Sequence, residues 1–218
     1  MRSYGEYCSL AKALDVVGDR WTLLIVRELT IQGPCRYTDL RNGLPGIATN
    51  LLADRLRELE QAGLVHREEA PPPIATTLFS LTPRGEGLRP AVEELTRWGL
   101  PLMSEQRSDD AVRSHWLIAA IDLMLTDRTP RRPPVTIELR TGDRPIVVET
   151  ADGAVRARLG PAVDPDLTLT GEPRPVLGTV LGMIPLAAAR AEGLSLEGDP
   201  GILDRIRPLT LPTSQSVG

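Results

Sequence analysis

Apolar residues recur along this chain at two spacings, and the points where one spacing gives way to the other divide it into elements. Near the N-terminus Leu10, Ala13, Leu14 and Val17 follow at helical intervals behind Ser3 and Glu6, which stand at a capping-box separation. This predicts a first helix ending near Gly18. Trp21, Leu24, Ile25 and Leu29 share one face of a second helix, predicted over 20–31 with Asp19 as its cap and Gly33-Pro34 as its stop. Residues 38–41 predict a short third helix, 42–46 a tight turn around Pro45, and 47–62 a fourth helix closed by Gly63. Alternation then takes over. A strand over 64–68 and another over 76–81 flank a loop at 70–74, whose prolines cannot pair in a sheet. Thr82-Pro83 opens a closing helix with Leu88, Val92, Leu95 and Trp98 at three- and four-residue steps. Three short helices, a hairpin and a closing helix describe a winged helix.

The pattern lapses between Ser104 and Ser114, where polar and charged residues gather around Asp109-Asp110. The expected organisation is therefore a first domain over 1–104, a linker over 105–113, a second domain over 114–209 and a tail over 210–218. In the second domain an apolar helix over 116–125 precedes three alternating strands, around Val135 to Leu139, Ile146 to Val148 and Val155 to Leu159. Asp152-Gly153 is a hairpin signal. A further strand over 167–170 and helical stretches at 175–181, 186–191 and 201–206 complete a mixed α+β chain.

Composition narrows the classes. The chain has 218 residues, 41% of them hydrophobic, with a formal net charge of −4. Acidic residues slightly outnumber basic ones in both halves, so a nucleic-acid reading must rest on where particular arginines sit. Lys12 is the only lysine. Nothing in the sequence reads as a membrane span or secretion signal, which gives a cytoplasmic expectation with no membrane partner. Cys8 and Cys35, with His66 and His115, match no metal-ligand spacing, so neither metal nor cofactor is expected. No nucleophile, base and orienter cluster, and no phosphate loop follows a strand, so an enzyme is not expected.

The constellation that carries chemistry lies between Arg36 and Leu59. A short helix and a tight turn brace a longer helix whose apolar stripe (Ile47, Leu52, Leu56, Leu59) packs inward, leaving its opposite face for the major groove of double-stranded DNA. The candidate contacts are Arg36, Thr38, Thr49, Asn50, Ala53, Arg55 and Arg57. Asn pairs bidentately with adenine, and Arg reaches guanine or phosphate. Asp54 is awkward beside DNA and is expected to pair with a neighbouring Arg or sit off the contact face. The plain alternative is an ordinary solvated helix face; the complete order of elements, with a wing attached, favours DNA.

At this point residues 8–103 resemble the HxlR-type winged helix-turn-helix family, a MarR-like branch of regulators. The resemblance is carried by Cys8, Asp19-Arg20-Trp21-Thr22, Arg36-Tyr37-Thr38-Asp39-Leu40, Leu51-Leu52-Ala53-Asp54-Arg55-Leu56, Ala62-Gly63-Leu64-Val65 and Phe79-Ser80-Leu81-Thr82-Pro83-Arg84-Gly85. Arg20, Tyr37 and Phe79 stand where the family usually has Lys, Phe and Tyr. Glu68, Glu69 and the prolines leave the wing short of basic residues, with Arg67, Thr76 and Thr77 as its remaining candidates. The resemblance implies a homodimer joined through the first and last helices of the domain, and Tyr4, Tyr7, Leu10, Leu14, Leu95, Trp98 and Leu102 supply the apolar surface. It also draws attention to Cys8, since several relatives look like thiol-based sensors. The residues themselves favour a buried, inert Cys8 over a sensor, since free Cys commonly behaves as a small core residue, and Cys35, beside Arg36, is the electrostatically better-placed thiol.

From Ser114 to Leu209 the chain resembles a sterol carrier protein type fold, an α/β sandwich with an antiparallel sheet covered by helices. The matching stretches are Asp166 to Gly171, Val176 to Gly182 and Gly193 to Asp199. Such a fold implies a pocket for a small hydrophobic ligand, for which Trp116, Ile121, Leu125, Val180, Leu181, Met183 and Ile184 are candidates; these residues filling a solid core is the alternative. The function expected is a ligand-responsive, DNA-binding transcription regulator. The competing expectation is a carrier of hydrophobic molecules that uses its winged helix for protein interaction and dimerisation.

Overall fold

The computed structural model describes residues 3–71, 76–104 and 110–208. The expected tail at 210–218, most of the expected linker and the end of the proline loop lie outside them. The chain divides into two compact units, Met1–Leu95 and Thr96–Gly218.

The first unit runs α1 (Ser9–Val17), α2 (Thr22–Gln32), β1 (Cys35–Arg36), α3 (Tyr37–Asn42), α4 (Thr49–Gln61), β2 (Val65–Ala70), β3 (Thr76–Leu81), α5 (Pro83–Glu86) and the first part of α6 (Arg89–Gly99). Ser3 does not cap α1. Its hydroxyl donates to Asp15 Oδ2 at 2.8 Å and the Tyr4 amide donates to Asp15 Oδ1 at 2.8 Å, so the N-terminal segment folds back along the helix and α1 begins six residues later. Ile25, Leu29, Leu40, Leu44, Leu52, Leu56 and Leu59 meet in one core. α4 ends where Gly63 turns to φ +68 and the Leu64 amide reaches back to the Leu59 carbonyl at 2.9 Å, a left-handed stop that favours glycine. The wing is a hairpin in register from Val65 opposite Leu81 to Ala70 opposite Thr76. β1, absent from the sequence expectation, adds to its far edge through Cys35 opposite Phe79. Thr82 caps α5 as expected, its hydroxyl accepting from the Gly85 amide at 3.1 Å, but the closing helix breaks at Gly87 and resumes as α6.

The second unit holds α7 (Ser114–Met124), β4 (Leu125–Asp127), β5 (Thr136–Arg140), β6 (Ile146–Ala151), β7 (Ala154–Leu159), β8 (Leu167–Thr170), α8 (Pro173–Val180), α9 (Leu186–Ala191), β9 (Ser195–Gly198) and β10 (Ile206–Pro208). Its seven-stranded sheet runs β10-β4-β7-β6-β5-β8-β9. All neighbours are antiparallel except β5 and β8, which run parallel from Ile137 opposite Leu167 to Arg140 opposite Thr170. The sheet is thus mixed where an antiparallel one was expected, because β8 returns beside β5 only after the chain has passed through β6 and β7. Asp152 and Gly153 both take positive φ, the left-handed pair that a two-residue hairpin demands. The segment read as helical at 201–206 is a short 3-10 turn over Pro200–Asp204 followed by β10. Next to that strand Arg205 makes a buried two-pronged contact with Asp127 of β4, at 3.0 and 2.9 Å. The carboxyl of Asp127 is held low by this guanidinium.

Candidate nucleic-acid interface

The interface is built on the α3–turn–α4 unit. α3 buries Leu40, the turn buries Leu44, and α4 buries Leu52, Leu56 and Leu59 at helical spacing. Thr49, Asn50, Ala53, Asp54 and Arg57 are left on the opposite face. Two polar ties set the angle. The Tyr37 hydroxyl of α3 donates to the Thr49 carbonyl at 2.6 Å, pinning the first turn of α4. Glu28 of α2, fully buried, accepts from Arg27 Nη2 at 2.6 Å and from Gln32 Nε2 at 2.6 Å, while the same Arg27 nitrogen donates to the Gly43 carbonyl at 3.2 Å. A Cβ at position 43 would meet Glu28 Oε2 at 2.0 Å, so the turn needs glycine there. A buried charge satisfied by this many donors holds one geometry, since losing any of them leaves it unpaired.

On the outward face, Thr49 and Asn50 are exposed and their side chains bond to no described residue. Arg36 and Thr38 are likewise exposed, with the Arg36 amide donating to Asp39 Oδ2 at 3.0 Å as the cap of α3, and Ala53 is half-buried between the polar positions. The other arginines behave differently. Arg55 is only 23% exposed and bridges Asp19, just before α2, at 2.7 Å, and Glu58 within α4. Arg57, 70% exposed, pairs with Asp54, so of the two outcomes expected for that carboxylate the structure has a neighbouring Arg. On the wing Arg67 pairs with Glu69 at 3.1 Å, and Thr77 donates to the same carboxylate at 2.7 Å, holding Glu69 low. Thr76 is half-buried at the first position of β3. Sequence reasoning passed over Arg41, exposed in the last turn of α3 with no ion pair to any described residue. Its signal was available: a cation at the end of the short helix just before α4.

The two thiols exchange the places expected of them. Cys8 is exposed at the N-terminal end of α1, and hydrogen bonds from the Ala11 and Leu10 amides lower its pKa. Cys35 faces the core on β1 and is pushed up to about 12, by burial first and then by the charges of Asp39 and Glu28. The neighbouring Arg36 gives no help, because successive strand residues point to opposite faces.

In the second unit, Ile121, Leu125, Val180 and Leu181 belong to the apolar core, with Met183 and Ile184 half-buried against it. Trp116 is half-buried and meets His115 edge to face at 5.7 Å. Among the described residues no cluster of three metal-ligating side chains occurs, and no helix is long and apolar enough to cross a membrane.

Comparison with known proteins adds four findings. The family model described as HxlR-like helix-turn-helix matches residues 16–107. The uncharacterized HTH-type transcriptional regulator YvaP of Bacillus subtilis is 36% identical over 87 residues, 40% of this chain and 80% of its own. The HTH-type transcriptional regulator YodB of the same organism is 33% identical over 89 residues, 41% of this chain and 79% of its own. The solved structure of reduced YodB superposes on 47% of this chain and all of its own length, with 29% identity and a TM-score of 0.40.

Proposed function

Because the chain belongs to the HxlR-like helix-turn-helix family of transcriptional regulators, we propose that it acts as a homodimer that inserts the start of α4 into the major groove. Family membership sets aside an enzyme and favours a regulator over a carrier whose winged helix merely docks proteins. The observation that carries the reading is the pair Thr49 and Asn50, exposed, unpartnered and held at the first turn of a braced helix. That is where recognition helices meet base edges. Arg36, Thr38, Ala53, Arg57 and Arg41 flank the pair, Arg67, Thr76 and Thr77 supply the wing, and Arg55 orients α4 through Asp19.

Dimerisation is supported by where the apolar side chains stand. The stripe of α1 points outward at Leu10 and Leu14, and α6 buries none of its residues. Tyr7 is fully exposed and Trp98 is 73% exposed. Monomers seldom leave such surface uncovered. The residues over 1–104 then bind DNA and pair, and the residues over 114–209 form a sterol-carrier-like effector domain. Its small hydrophobic ligand would enter past Met183 and Ile184 toward Ile121, Leu125, Val180 and Leu181, with Trp116 nearby. Of the two thiols, Cys8 is the exposed one, and the Ala11 and Leu10 amides lower its pKa, so it is the candidate for a sensor.

The test is fluorescence anisotropy with DNA from upstream of the protein's own gene, at fixed salt. Asn50→Ala and Thr49→Ala should each weaken operator binding by about 1–3 kcal/mol while leaving non-specific binding in place. Variants that bind as the parent does, or a protein that sediments as a monomer at micromolar concentration, would overturn the reading.

A further inference from the structure

The second unit carries a cleft of about 680 Å³ that none of the seven apolar ligand candidates lines. Its walls are residues 140–145, at the end of β5 and in the turn to β6, residues 171–173 at the start of α8, and Asp110, Val112 and Glu138. The volume is that of a small-molecule site, but such sites are ordinarily apolar and this one is charged.

The wall is built before any ligand arrives. The Ser114 amide donates to Asp143 Oδ1 at 2.9 Å, and the Ser114 hydroxyl donates to the Thr141 carbonyl at 3.1 Å and accepts from the Arg144 amide at 3.0 Å. These bonds clamp the β5–β6 turn to the first residue of α7. Two of the charges cancel inside the wall, where the buried Glu138 takes Arg140 through Nε at 3.0 Å and Nη2 at 2.7 Å. Of the other charged side chains in the wall, Asp143 is held by the Ser114 amide and faces the charge of Arg113, and Asp110 is engaged elsewhere, which leaves Arg144 and Glu172. Both are exposed and of opposite sign, and neither side chain pairs with the other or with any other described residue.

We propose that this cleft binds a small zwitterion with the chemistry of a free α-amino acid, whose carboxylate meets the Arg144 guanidinium and whose ammonium meets Glu172. Arg suits the first task because its planar fork matches a carboxylate. Other occupants fit less well. An apolar molecule would desolvate both charges without partnering either. A simple anion would meet Glu172 as well as Arg144, and the described residues offer no cluster able to hold a metal ion. A dipolar ion answers both charges. The inference goes beyond the regulatory reading and does not depend on it, because capture is measured without DNA.

Titration calorimetry on the full chain with each proteinogenic L-amino acid tests it. The best binder is then compared with its N-acetyl derivative, which lacks the ammonium, and with its decarboxylated amine. Saturable binding by at least one free amino acid is expected, with each single-charge analogue at least about tenfold weaker. Arg144→Gln and Glu172→Gln should each weaken the zwitterion by a similar factor while leaving the melting temperature of the unliganded protein unchanged, since both side chains are exposed. No saturation by any free amino acid, a single-charge analogue that binds equally well, or affinity that survives either substitution would overturn the proposal.

Discussion

The two units answer the same kind of sequence pattern in opposite ways. In the first, α4 turns its apolar stripe inward and leaves Thr49, Asn50 and Arg57 outside, so the side chains singled out for chemistry stand where a partner can reach them. In the second, the residues singled out for a ligand are themselves the apolar stripe, and Ile121 and Leu181 lie fully buried in the core. A polar residue opposite a packed face declares its exposure through periodicity alone. An apolar residue at the same spacing is equally at home against a cavity or against another side chain. The difference lies in shape, which periodicity does not encode.

The same line between surface and interior produces the largest effect we predict. With Cys35 held at about 12, its thiolate fraction near neutral pH is roughly a thousandth of an ordinary cysteine's, and burial shields it further. Cys8 is exposed and shifted the other way. Native protein treated with iodoacetamide and mapped by mass spectrometry should carry the label on Cys8, with Cys35 reacting only after unfolding. Raising the pH toward 9 should speed Cys35 about tenfold per unit without bringing it level with Cys8. Equal labelling in the native state would erase the distinction.

Next comes a direct comparison of the two interiors. Leu52→Ala and Ile121→Ala both truncate fully buried side chains, and each should cost about 2–5 kcal/mol in urea unfolding. The pair sharpens the comparison because the cost depends on whether neighbours already fill the space. A cost near the top of the range at Ile121 means close packing. A cost below about 1 kcal/mol there, with Leu52→Ala still expensive, would break the likeness between the two cores and place a ligand-sized void beside α7.

What was legible follows the same division. The winged helix could be read because its signals are local: Gly63 after a run of helical apolar positions, Thr82-Pro83 before the next, and a hairpin between them. β1 could not be read, since two residues, Cys35 and Arg36, become a strand only when β3 arrives to pair with them. β8 was legible as a strand but its parallel partner was not, because register with β5 is a property of the closed sheet. The Ser3 and Glu6 spacing misled for a related reason. Asp15, a dozen residues downstream, competes for the Ser3 hydroxyl, and a sequence window that ends at the helix start contains no competitor. At the candidate interface the residue types were readable while their pairing was not. Arg55 and Arg57 look alike in sequence, yet one is committed to Asp19 across the fold and the other only to its neighbour Asp54.

That last contrast carries the smallest effect. An exposed pair such as Arg57 with Asp54 is worth about 0–1 kcal/mol, so Arg57 can leave Asp54 for a phosphate at little cost. Arg57→Ala should then weaken binding to operator and unrelated DNA alike, and flatten the dependence of log K on log salt by about one unit, the signature of one lost phosphate contact. Asp54→Ala should act in the opposite direction, raising non-specific affinity slightly by freeing the guanidinium. Arg55→Ala removes the bridge between α4 and the start of α2 but no free charge; it should lower the melting temperature and leave the salt slope where it was. If the slope instead falls for Arg55→Ala and not for Arg57→Ala, the half-buried arginine is the one that reaches DNA, and Asp19 yields it when the duplex arrives.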